Sequence, residues 1–167
     1  MPSSRTALNR KQQTEQAAFA AFVRRLGASD QWTSVESRRE PEPDLLCTAL
    51  GGEKVAFELV SLTDPKIAQV QAAGPKARTE GFFTDDPSTR IVRAKLGKAY
   101  RTDAARIELL IYADGQIITP DDVIIPTILP LLSERRHPFE VVWFMGQNVT
   151  QRLWDGIASA NVSCADP

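Results

Sequence analysis

The chain has 167 residues, the size of one ordinary domain, and its 43% apolar and 25% charged content is enough to build a core without disulfides or a structural metal. A net charge of −1 excludes a polycation, so any nucleic-acid contact must come from a local basic face. One histidine excludes paired-His zinc hydrolysis, two-histidine RNA cleavage and His-cluster phosphohydrolases, and two cysteines exclude a four-Cys zinc site and a disulfide framework.

Residues 1–6 are polar and read as a frayed end. From about Thr6 to Leu26 the pattern is helical, with Phe19, Phe22, Val23 and Leu26 at three- and four-residue spacing and Gly27 as a stop. Glu15 lies on that apolar stripe, an odd place for a charge. A strand is predicted around Trp32 to Ser37, followed by a polar, proline-rich link from Arg38 to Pro43. Asp44 to Leu50 and Lys54 to Leu62 read as two strands joined through Gly51-Gly52, the second so apolar that both its faces should be covered. Asp64-Pro65 opens a short helix to about Ala73, and residues 74–86 read as an irregular loop. Within it, Phe82 and Phe83 either dock on the core or mark a partner surface.

A helix is expected from Asp86-Pro87 to about Thr102, then a buried strand from Ala105 to Ala113. Thr119-Pro120-Asp121-Asp122 opens a further helix to about Arg136, which Pro126 and Pro130 must kink or interrupt. Glu140 to Met145 is a strand, the segment from Val149 through Trp154 a short helix, and residues 158–167 a tail. His137 is expected to cap a helix end, and Trp32, Trp143 and Trp154 to serve the core or an interface. The whole reads as one α/β domain, a sheet with helices packed on its faces. Val123 to Leu132, the longest apolar stretch, is too short to span a bilayer. No signal peptide, Walker loop or dinucleotide glycine fingerprint is recognisable, and Cys47 and Cys164 read as two reduced thiols. A cytoplasmic protein with no membrane partner is the expectation.

Glu58 is the most informative residue. It sits inside the most apolar strand, where an ionised carboxylate is costly unless paired, hydrogen-bonded or bound to metal. Asp44 begins the preceding strand. Two such oxygen ligands suit Mg²⁺ or Mn²⁺. Everything turns on the hairpin: a strict two-residue turn would pair Asp44 with Leu59 and put the two acids on opposite faces. A three-residue loop (Leu50 to Gly52) would set Asp44 opposite Glu58, and a four-residue loop or a bulge would also restore a shared face.

Pro43-Asp44, followed by Glu58 in an apolar strand, resembles the PD-(D/E)xK nuclease superfamily, and the element order over roughly residues 10 to 145 is similar to its restriction-endonuclease-like core. The resemblance implies a central mixed sheet flanked by helices in the order α-β-β-β-α-β, then α-β. It also implies that Asp44 and Glu58 hold the divalent metal, with Glu15, or less well Glu36, as a further acid. The family's lysine two residues after the acid is replaced here by Val60. Lys95 and Lys98, on one face of the following helix, are the candidates to supply it. The implied chemistry is metal-assisted phosphodiester hydrolysis on nucleic acid, with DNA as the expected partner. Arg90, Arg93 and Arg101 form a phosphate-contacting stripe, and a homodimer is expected because dimers are frequent in this fold. The rival expectation is a catalytically inactive nuclease fold kept for nucleic-acid or protein binding. Glu58 could equally be a buried acid satisfied by Arg or Lys, Asp44 a strand-opening residue, and the basic helix a solvated face.

Overall fold

Asn9 starts the first helix, α1 (Arg10–Arg25), with a reciprocal cap: its side chain accepts the Gln12 N–H at 2.9 Å, and its own N–H donates to the Gln12 side chain at 3.1 Å. Gly27 ends it, at φ +66, with the Ala28 N–H reaching back to the Val23 carbonyl at 2.8 Å. Phe19, Phe22 and Val23 are buried, and so is Glu15. The computed structural model describes residues 8–64, 67, 69, 72–73, 86–115 and 117–157.

Six strands follow: β1 (Trp32–Ser37), β2 (Leu45–Ala49), β3 (Lys54–Ser61), β4 (Arg106–Tyr112), β5 (Val141–Met145) and β6 (Thr150–Asp155). Their order across the sheet is their order in the chain. β1, β2 and β3 form an antiparallel meander, β3, β4 and β5 run parallel, and β6 returns antiparallel to β5. Helix α2 (Ser88–Leu96) lies in the crossover from β3 to β4, and α3 (Asp121–Ile128) with α4 (Leu131–Glu134) in that from β4 to β5. The molecule is thus an α/β protein with a six-stranded mixed open sheet.

The alternation of β3 builds two cores. Val55, Phe57 and Leu59 pack with Phe19, Phe22 and Val23 of α1 on one face. Val60 and Leu62 pack with Val92, Leu96, Ile124 and Leu132 of the other helices on the opposite face. Glu58, between Phe57 and Leu59, therefore points to the α2 side.

Three boundaries depart from the sequence expectation. The helix predicted to run to Thr102 ends at Leu96, where Gly97 takes the cap, so Lys98, Arg101 and Thr102 lie beyond it. The helix predicted to Arg136 is two helices, with Pro126 inside the first and Pro130 heading the second. The segment expected to be a helix through Trp154 is the edge strand β6, paired from Met145↔Thr150 to Val141↔Asp155. A turn that Asp121 ties down brings it back against β5: its carboxylate accepts the N–H groups of Gln147, Asn148 and Val149 at 3.1, 2.8 and 3.0 Å. Ile67, Gln69, Ala72 and Ala73 are helical, as Asp64-Pro65 suggested. The expectations for Phe82 and Phe83, for the two chain ends and for Cys164 lie outside the described residues. Cys47 is a free, buried thiol.

Candidate active site

The hairpin loop has three residues. Leu45 pairs with Phe57 and Thr48 with Lys54, and the Ala49 N–H closes on the Glu53 carbonyl at 2.8 Å, leaving Leu50, Gly51 and Gly52 as the loop. Gly52 has φ +90, a conformation that suits glycine. Continued by one residue, this register sets Asp44 directly opposite Glu58.

β2 stops at Leu45, so the backbone donors next along lack ladder partners, and the two acids take them. The Asp44 N–H donates to Glu58 Oε2 at 3.3 Å, and the Leu59 N–H donates to Asp44 Oδ2 at 3.0 Å. The remaining carboxylate oxygens meet lysines. Lys95 of α2 lies 2.5 Å from Glu58 Oε1, with Lys98 at 4.0 Å from the same atom. Lys98 is held mainly by Glu40, at 2.5 Å. From the other face, Lys11 of α1 bridges Asp44 Oδ1 at 2.9 Å and Glu15 Oε1 at 2.5 Å. Glu58 is 1% exposed, Glu15 6% and Asp44 9%, so all three acids depend on these partners.

Their environments pull the acids apart. Burial raises Glu15 above the usual carboxylate range, with Lys11 opposing. Burial pushes Asp44 up as well, but the Leu59 N–H and Lys11 outweigh it and hold Asp44 below its ordinary value. Burial works against the charge on Lys11, yet its two carboxylates raise it well above the ordinary lysine value. The Tyr100 hydroxyl is buried with no hydrogen-bond partner among the described residues. Burial first, then the charge of Glu58, raises its phenol.

A cleft of about 310 Å³ opens over this end of β3, lined by Lys11, Glu15, Leu59, Val60, Lys95 and Tyr112 among others. Val60 thus sits in its wall, and Lys95 reaches Glu58 from the neighbouring helix. Among the described residues no three His, Cys, Asp or Glu side chains converge as a ready-made metal cage. The acids form an Asp44–Glu58 pair, with Glu15 joined to it through Lys11. Hard oxygen donors, few in number, with Glu15 in the wall of the cleft, match what Mg²⁺ or Mn²⁺ takes, since such ions keep several waters.

Of the basic residues, Arg90 and Arg93 line a second cleft of about 620 Å³ together with Lys98 and Arg135. Arg93 is paired with Glu134 at 3.3 Å. Arg101 is not on that helix; its N–H binds the Pro41 carbonyl at 2.9 Å. Glu36, on the edge strand, pairs with Arg38 away from the acid pair. His137 contacts the Leu132 carbonyl at 3.2 Å, at the end of α4. Sequence reasoning missed Lys11, Tyr100 and Arg135. Lys11 had an available signal, its four-residue spacing from Glu15 on a helix.

Comparison of the chain with family models, with curated proteins and with solved structures finds no match. Among the described residues, no helix is long and apolar enough to cross a membrane. Class therefore rests on the fold, α/β with a mixed sheet, and on the acid–lysine constellation at the end of β2 and β3.

Proposed function

We propose that this chain is a metal-dependent phosphodiesterase with a restriction-endonuclease-like core, acting on DNA. The observation that carries this is the clasp of Asp44 and Glu58 across a three-residue hairpin, with Lys95 on Glu58 from the following helix. The order of elements, a helix, an antiparallel meander, a helix and a parallel strand, supports the core. Asp44 and Glu58, with Glu15 beside them, would hold Mg²⁺ or Mn²⁺. When bound, such an ion lowers the pKa of a water and balances charge on the phosphoryl oxygens. Lys95, fixed by Glu58, orients the attacking water and offsets developing negative charge. Lys98 lies between Glu58 and the cleft bearing Arg90, Arg93 and Arg135, so the backbone of the substrate would enter along that cleft. Arg101 contacts phosphate from beyond the helix.

The test is cleavage of plasmid and linear DNA with Mg²⁺ or Mn²⁺. Glu58→Gln should abolish it, and Lys95→Met should lower kcat by about 10²-fold, the usual scale for a positioned acid–base group. Full activity in folded Glu58→Gln would overturn the assignment.

A second reading is favoured by Val60 and by the neutralisation of every acid by a lysine. On it, the fold is catalytically inactive and binds nucleic acid. It predicts salt-dependent DNA binding without cleavage, unchanged by Asp44→Ala and lost when Arg90, Arg93 and Arg101 are neutralised together.

A further inference from the structure

We infer that Lys11 is an exchangeable counter-ion: its ammonium stands between Glu15 and Asp44 where a divalent cation would stand, and it leaves when that cation binds, while Lys95 stays on Glu58. This rests on the divalent-cation reading above and adds how the site is kept before loading.

Two of the carboxylate oxygens on offer to an entering ion, Glu15 Oε1 and Asp44 Oδ1, are the ones that Lys11 holds at 2.5 and 2.9 Å. The ammonium and the ion therefore compete directly. The two lysines differ in freedom. The Lys11 side chain is 73% exposed and springs from the first turn of α1, so it can swing into solvent without moving the backbone. The Lys95 side chain is 25% exposed and is set between α2 and β3, on an acid that is itself almost wholly buried. Charge points the same way. Three carboxylates, Lys95 and one dication sum to zero, whereas keeping Lys11 as well would leave a surplus positive charge beside acids that are themselves buried. Without any cation, Glu15 and Asp44 would face each other as like charges, which Lys11 prevents.

The test is calorimetric titration of Mn²⁺ into the full chain at neutral pH, for wild type, Lys11→Met and Lys11→Gln, each checked by its melting curve. In parallel, the Nζ resonance of Lys11 is followed by NMR as Mg²⁺ is added to wild type. Both substitutions should tighten Mn²⁺ binding by about tenfold, the scale for removing one largely exposed competing charge at contact distance. The Lys11 resonance should move to the position of a solvated lysine as Mg²⁺ saturates. Equal Mn²⁺ affinity in wild type and both variants, with the Lys11 resonance unmoved, would overturn the exchange and leave the divalent-cation reading standing. Absence of Mn²⁺ uptake in all three proteins would overturn both, and would make Lys11 a permanent partner of the two acids.

Discussion

Asp121 and Asp44 are both buried aspartates that accept backbone N–H groups, but they are satisfied by different kinds of partner. Asp121 takes three N–H groups from one turn, Gln147 to Val149, and among the described residues no cation touches it. The backbone of Gly146 runs so close that any Cβ there would overlap the Asp121 carboxylate. Asp44 takes one N–H, from Leu59, and its other oxygen is left to the ammonium of an exposed lysine. A carboxylate saturated by fixed backbone donors is a fastener. One balanced by a mobile side chain keeps a coordination position that can be exchanged. The same residue type, buried at both sites, is closed off by backbone donors at one and, on the proposed reading, open to exchange at the other.

The largest expected effect separates them by stability. Asp121→Ala strands three backbone donors, each worth about 1–3 kcal/mol when left unpaired, so urea unfolding should show a loss of about 3 kcal/mol or more, indifferent to added Mn²⁺. Gly146→Ala should cost about 1–3 kcal/mol, as overpacking does, because the turn and the carboxylate must move apart. A variant that keeps wild-type stability at either position would break the comparison on the structural side.

At Asp44 the effect is smaller and depends on pH. Its folded pKa lies below its ordinary value of 3.8, so the stability it contributes is full above that value and is lost as pH falls through the folded one. Acid unfolding of Asp44→Asn should therefore be flatter than that of wild type below about pH 4. Glu15, raised by burial, acts in the opposite sense and should not mask the difference in sign between the two proteins. Parallel acid limbs for wild type and Asp44→Asn would remove the assigned role of Leu59 and Lys11. Lys11→Met in the absence of metal should be milder than Asp121→Ala, because Lys11 is itself exposed. Yet it leaves two buried acids without their cation, so urea unfolding should show a loss above the ~1 kcal/mol of a fully exposed pair.

Much of this was legible in the sequence, for identifiable reasons. Glu58 and Glu15 stood out because a charge on an apolar stripe violates a strong period, and both are buried. The strands β2 to β5 were readable because covered strands are dense in apolar residues. The spacing of Asp44 and Glu58 could not choose between loop lengths, since a one-residue change in the turn moves a side chain to the other face. The structure supplies that choice through the Ala49–Glu53 closure. β6 was missed because TQRLWD is a half-polar edge strand, stabilised by pairing with β5 rather than by its own pattern. Gly97 did carry the signal for the end of α2, but the cations beyond it continued a helical spacing. Asp121 looked like an ordinary first-turn acid. Its true partners lie 26 to 28 residues away, a separation no local pattern encodes.

The most direct measurement is the count of Mn²⁺ ions bound per chain by electron paramagnetic resonance, in wild type and in Glu58→Gln, at a fixed excess of metal and without nucleic acid. One ion bound to wild type and none to a folded Glu58→Gln is the predicted result. Equal binding to both, or none to wild type, would contradict the assignment of Asp44 and Glu58 as the site of a divalent cation.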